Sequence, residues 1–533
     1  MEKSLRVVIF IACVAVGQAQ HQHAAPAAEK PVTLMAGLGK YSHPIRTSSA
    51  MAQKFFDQGL TLLYGFNRYE ALRSFRRAAE LDPKAAMPHW GIAMAQGPHI
   101  NMDLDSDVDV KKYCESAERA LQLATGAEKQ YAEAALARCP QIDEAKYTAR
   151  MRELAARLPD DPDAATLFAE SAMVPVRWRW WTNGKPNGEL ADAIATLERV
   201  LRRYPEHPGA NHFYIHAVEM SPSPELAVPS AQRLMGVVPN AGHLVHMPAH
   251  IWLLLGEWEL AASTNERAVQ LDQNYFKATG VPMGSYAGYM VHNMHFVAYA
   301  RSMQGRGAEA MTMARAISQA VTPMVKEAAQ MVDPFTVWHL LMAVRFEKWD
   351  EILAAPQPDA ALRVAPAIRH WARALALLGK KRPQDALAEK AAFEDALSKV
   401  PVDWNWLNNK ARDVLAVAAE SLEARMAANP MDEAMHWNQA VALQDNLVYD
   451  EPPPWFYPIR ESLGGALLRA GQAVAAEQAF REGLRRSPQN GRMLFGLLES
   501  LQAQGKTEGA AWVRSEFERA WKRADTKLAA GSL

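Results

Sequence analysis

The chain has 533 residues, 49% of them hydrophobic, which is ample apolar material for a large core. Its 58 Lys and Arg balance 59 Asp and Glu, leaving a formal net charge of −1. That balance lacks the basic footprint that nucleic acid or an anionic membrane surface requires, so partners chosen by bulk charge are excluded.

In chain order, Lys3 and Arg6 precede an apolar run from Val7 to Val16, and Gly17-Gln18-Ala19 follows it. This is the charged, apolar and small-residue order of a secretory signal, and the run is far shorter than the roughly 20 residues that span a bilayer. Residues 1–19 are therefore expected to be removed, giving an exported protein, periplasmic or secreted, without a membrane span. Residues 20–47 are rich in Ala and Pro and show no periodicity, as in a flexible lead. Removal of the signal takes Cys13 with it and leaves Cys114 and Cys139, on two helices folded back about Thr125-Gly126. A disulfide in an oxidising compartment and two unrelated buried thiols both satisfy that placement.

From Ser48 the pattern turns helical, with short turns. Phe55, Gly59, Leu62, Ala71, Phe75, Ala78 and Pro83 mark one helix–turn–helix unit. Leu463, Gly464, Leu467, Ala476, Phe480 and Pro488 repeat it near the C-terminus, and Leu494, Leu497, Ala510 and Phe517 repeat it more loosely. In this signature the chain resembles the tetratricopeptide repeat family, whose unit is about 34 residues. The resemblance implies an all-α fold: a right-handed solenoid of antiparallel helix pairs with a concave groove lined by the first helix of each unit. It also implies a peptide or protein partner in that groove. The units fall at 48–140, 208–323 and 450–533, with degenerate helical segments at 141–207, interrupted by Trp178, Trp180 and Trp181, and at 324–449. The connector Asp450-Glu451-Pro452-Pro453-Pro454-Trp455 reads as a stiff joint with a buried Trp or as a rim loop offering an aromatic to a ligand.

Familiar catalytic signatures are missing. Gly505-Lys506-Thr507 ends like a phosphate loop, but Ser500 stands at the earlier glycine position. Gly284-Ser285-Tyr286-Ala287-Gly288 lacks the spacing of a nucleophile elbow, and there is no His-Glu-x-x-His or Cys-x-x-Cys.

What stands out is histidine. Seven of the 16 lie between His212 and His295. Pro205 and Pro239 set a register in which units begin at Pro208 and Gly242, and Gly305 with Ala310 starts a third at Val291 after an insertion, Phe276 to Met290. His212 and His216 are then the fifth and ninth residues of the first unit. His243, His246 and His250 are the second, fifth and ninth of the next, and His292 and His295 the second and fifth of the third. These positions form one helical stripe, facing the groove in the family that the chain resembles. Nine such positions hold seven histidines, where average content would give about 0.3. His212/His216 and His246/His250 are one turn apart, a chelating spacing, and Glu219 adds an oxygen ligand or an acceptor that orients an imidazole.

The expected metal ligands are therefore His212, His216, Glu219, His243, His246, His250, His292 and His295. Imidazoles with a carboxylate suit a transition metal, with Cu or Zn favoured over Fe. Met247 could add a thioether or simply pack, and Tyr214, Tyr286, Tyr289 and Tyr299 lie close in sequence. Three functions fit: a metal-dependent enzyme, oxidative or hydrolytic, with a small-molecule substrate in the groove; a peptide-binding scaffold without catalysis; and a metal storage or delivery protein.

Overall fold

Phe75 and Phe480 explain why the repeats stack. A Cβ at Gly59 would lie 2.6 Å from the Phe75 ring, and one at Gly91, on the first helix of the following unit, 2.4 Å away. Phe480 fills the same position between Gly464 and Gly496, at 2.4 and 2.1 Å. In each place one ring is wedged between two helices that only glycine lets approach so closely. Replacing either Phe by Ala should cost about 3–5 kcal/mol. With Phe480→Ala, the loss in a thermal melt should be confined to the last units, whose core is a separate cluster around Phe480 and Leu497.

The computed structural model describes residues 30–101, 109–281, 284 and 286–529, so the expected signal at 1–19 lies outside the described residues. Antiparallel helix pairs follow one another from Ala50–Tyr64 and Arg68–Leu81 to Gly491–Ala503 and Thr507–Ala520. Among the described residues the strands are two-residue ones, in the hairpins Trp181–Thr182/Lys185–Pro186 and Asn405–Trp406/Asn409–Lys410. The protein is the all-α solenoid of tetratricopeptide type that its repeats imply. No described helix is long and apolar enough to cross a membrane. Cys114 and Cys139 are joined by a disulfide.

Two expectations change. The lead at 20–47 is not a free tail over its described part. Lys30 binds the Lys277 and Ala278 carbonyls, Gln58 is bonded to Met35 and Thr33, and Tyr41 and His43 reach Asp163. Polar groups along this strap find buried partners, which composition alone could not reveal. Nor is the groove open at its middle. The solenoid coils so tightly that Tyr64, in the first helix, packs against Gly209, and the Pro488 carbonyl abuts Gly256. Gly307 and Ala308 donate to Asp525. The concave face is thereby folded in on itself.

Candidate metal centre

Three successive first helices carry the histidines. Pro208–Glu219 and Gly242–His246 begin where the 34-residue register puts them, whereas the third, Tyr286–Met303, starts five residues before Val291. Pro248, which has no amide hydrogen, splits the second helix into Gly242–His246 and Pro248–Leu254, so His246 and His250 flank a break in the hydrogen-bond ladder. His212, His216, His243, His246 and His250 are 0–3% exposed, and His292 alone of the six is half-buried.

The imidazoles fall into two sets. Ring nitrogens of His212, His216 and His243 lie within 4.8 Å of one another, and so do those of His246, His250 and His292. The sets abut, with the His216 and His250 rings 5.3 Å apart at their centroids. Glu219 ties them together: its Oε1 takes His216 Nδ1 at 2.8 Å and its Oε2 takes His250 Nδ1 at 2.6 Å.

Most of the array is anchored through Nδ1, and the anchors are acceptors. His212 Nδ1 donates to the Tyr64 carbonyl at 2.6 Å. His246 Nδ1 donates to Asn265 Oδ1 at 2.6 Å, an amide held in that orientation by its own bond to the Ala261 carbonyl. With Nδ1 carrying the hydrogen, Nε2 of each neutral ring is a bare lone pair. In His212 and His246 that lone pair faces Nε2 of a second ring. His212 and His243 bring Nε2 atoms to 3.2 Å, and His246 and His250 to 2.7 Å. Around a tetrahedral ion the nitrogens would stand about 3.3 Å apart, so a shift of roughly half an ångström admits a metal. His216 Nε2, in contact with no donor or acceptor, is a further lone pair available inside.

Charge reinforces this geometry. Burial holds His212, His243 and His246 well below the ordinary imidazole value, and His216 and His292 at about 3, so all five are neutral. His250 is the exception. Burial lowers it, but Glu451 and Glu219 outweigh that and hold it at about 10. Glu451 Oε2 lies 2.5 Å from His250 Nδ1, and among the described residues neither carboxylate has a Lys or Arg ion partner. Two carboxylates are thus buried against one imidazolium, and a divalent cation that displaced the His250 proton would balance them.

Glu451 is the residue that sequence reasoning passed over. It sits in the Pro-rich connector, and Trp455 of that loop is fully buried, so the loop is a joint rather than a rim offering an aromatic. No periodicity links it to the stripe. His295 is the opposite case. It lies outside both sets, with its ring 4.1 Å from Trp338 and 5.8 Å from Phe335, and neither ring nitrogen is hydrogen-bonded. A helix turns about 100° per residue, so Phe296 rather than His295 comes round to the side of His292. Its ring stands 4.9 to 5.2 Å from those of His246, His292 and His250. Of the four tyrosines, Tyr289 meets the array, 4.7 Å from the His243 ring. Tyr286 bonds Asp272, Tyr214 bonds Glu198 and the Tyr299 ring lies tilted 6.3 Å from that of Trp258. Met247 is fully buried in the core.

No protein-family model matches the chain, and no curated protein matches it. Among solved structures it is similar to the human IFIT1 dimer with PPP-AAAA, at 12% identity over 90% of this chain and 92% of that one, with a TM-score of 0.28. It is also similar to yeast Tom70, at 12% identity over 86% and 96% and a TM-score of 0.33. The P58(IPK) TPR domain matches at 12% over 86% and 99%, with a TM-score of 0.21. Likenesses this weak bear on neither the site nor its chemistry.

Proposed function

We propose that this chain is an exported metalloprotein whose buried centre holds one or two transition-metal ions and performs metal-dependent chemistry on a small molecule. The observation that carries the reading is the pair of three-imidazole sets, four of whose rings are anchored through Nδ1 by acceptors behind them. Three protein ligands per ion leave a coordination position free, the pattern of catalytic rather than structural sites. His292, the one partly exposed ligand, marks the side from which a substrate or water would arrive. An all-imidazole environment favours Cu or Zn, with Fe next. A peptide lying in the groove could not touch histidines that are 0–3% exposed, which favours a small substrate over a scaffold role. Export is part of the reading, supported by the N-terminal signal pattern and by the Cys114–Cys139 bridge.

Elemental analysis of the full chain, purified from an oxidising compartment without chelator, should find one to two equivalents of transition metal. Protein that carries none, and takes up neither Cu nor Zn on dialysis, overturns the reading. Slow release to a competing chelator is expected of a catalytic centre, whereas rapid exchange would indicate storage or delivery. Because imidazoles must be neutral to coordinate and burial holds five of the six far below the ordinary value, the metal should be retained at pH 6.5 and leave only as pH falls toward about 3.

A further inference from the structure

The two three-imidazole sets form one continuous array. Inside them, neighbouring ring centroids stand from 4.7 Å apart, in His246–His250, to 6.0 Å apart, in His250–His292. Across the boundary, His216–His250 and His243–His246 stand at 5.3 and 5.5 Å, within the same range. Two ions, one in each set, would fall close to the separation of about 3.5–4 Å at which a metal pair clamps one small ligand.

The donors narrow the pair to copper. Glu219 spends Oε1 on His216 Nδ1 at 2.8 Å and Oε2 on His250 Nδ1 at 2.6 Å, behind one ring of each set. Glu451 also stands behind His250, 2.5 Å from Nδ1. Both carboxylates thus meet the Nδ1 side of their rings, opposite the Nε2 atoms left for metal. Paired iron and manganese sites in helical proteins instead take glutamates as ligands. Imidazole nitrogen alone suits copper, the most tightly held of the divalent first-row ions.

The walls narrow the ligand. Phe66, Trp180, Tyr289 and Phe296 come to within 4.6, 5.7, 4.7 and 4.9 Å of the rings of His212, His216, His243 and His246. Such aromatic faces give a charged ester or phosphate nothing to pair with. Five of the six imidazoles are buried, so whatever reaches them beside His292 is small.

Resting on the metal reading above, we infer that the centre is a coupled copper pair that takes up dioxygen, an apolar diatomic that suits this lining. Each copper(I) gives one electron and becomes copper(II), and dioxygen gains both to reach the level of peroxide. The O–O π bond is lost and copper–oxygen bonds form, with no proton and no further reductant entering.

The test is a dioxygen titration of the full chain, loaded with copper, reduced with ascorbate under argon and freed of reductant. The protein should hold two coppers and take up one dioxygen per pair. The product should be silent in electron paramagnetic resonance, because the spins of two adjacent copper(II) ions cancel. His292→Ala, at the most exposed ligand and so the safest for folding, should keep its helix content and hold one copper. That copper should be fully visible in the spectrum after exposure to dioxygen. Two coppers visible at full intensity, one copper in the native chain, no dioxygen uptake, or two coppers kept by His292→Ala each overturn the pair and leave a metal centre standing. A site that holds zinc and excludes copper at equal concentration does the same, since zinc has no redox chemistry. A chain that binds no metal overturns the metal reading itself, and the pair with it.

Discussion

The double variant His216→Ala/His246→Ala should retain no stoichiometric metal and near-native helix content. Each substitution removes one ligand from a different three-imidazole set, so neither set keeps enough donors for tight binding. His246→Ala also leaves Asn265 Oδ1 without its partner, so part of any fall in melting temperature is structural, and metal content is the cleaner measurement. In the native protein, chelation alone should lower the melting temperature. A ligand at 1,000 times its Kd stabilises by about 4 kcal/mol, and this one ties three successive units together. Glu451→Gln should weaken metal by about 10- to 100-fold without abolishing it, since Glu451 acts on His250 from behind rather than as one of the six imidazoles. His370→Ala should change nothing in metal content, because His370 is paired with Glu389 on a part-exposed helix elsewhere. Full occupancy in the double variant would refute the site.

How much of this was legible follows from where periodicity holds. Pro205 and Pro239 mark the turns that precede two first helices, so counting from them put His212, His216, His243, His246 and His250 on one stripe, and the structure brings those five together. The count failed after the insertion. A helix that begins at Tyr286 instead of Val291 keeps His292 on the stripe but turns His295 toward Trp338. Glu451 was out of reach because its approach to His250 depends on the pitch of the whole coil, a sum of small angles between units that no local pattern encodes. The same pitch closes the groove. Repeat signatures report how neighbours pack, as Phe75 between Gly59 and Gly91 does, and say nothing about whether distant units meet.

Asp163→Ala should cost about 3–5 kcal/mol and free the N-terminal strap. Asp163 is 2% exposed and gathers three donors, Tyr41 at 2.6 Å, His43 at 2.7 Å and Tyr64 at 2.5 Å, with His207 Nε2 3.3 Å away. Through them it joins the strap to the first repeat helix and to the cap of the helix that carries His212 and His216. Removing the carboxylate leaves several buried groups unpaired at once, which is why the expected loss exceeds that of a surface pair. The pH dependence has two sides. Burial would raise Asp163, but bonds from His207 and His43 outweigh it and hold the carboxyl far below its ordinary 3.8, so its contribution is present above about pH 4 and fades only in stronger acid. Burial would lower His43, but Asp163 outweighs it and raises the ring above 6.5. The contribution of His43 is therefore complete below pH 6.5 and is lost as pH rises through that raised value. Strap docking should be firmest between about pH 4 and 6.5 and should loosen in alkali. Limited proteolysis within residues 30–47 measures this directly: cleavage should accelerate above neutrality in the native chain and be fast at every pH in Asp163→Ala. A strap as well protected in that variant as in the native protein would show that Asp163 is not what holds it.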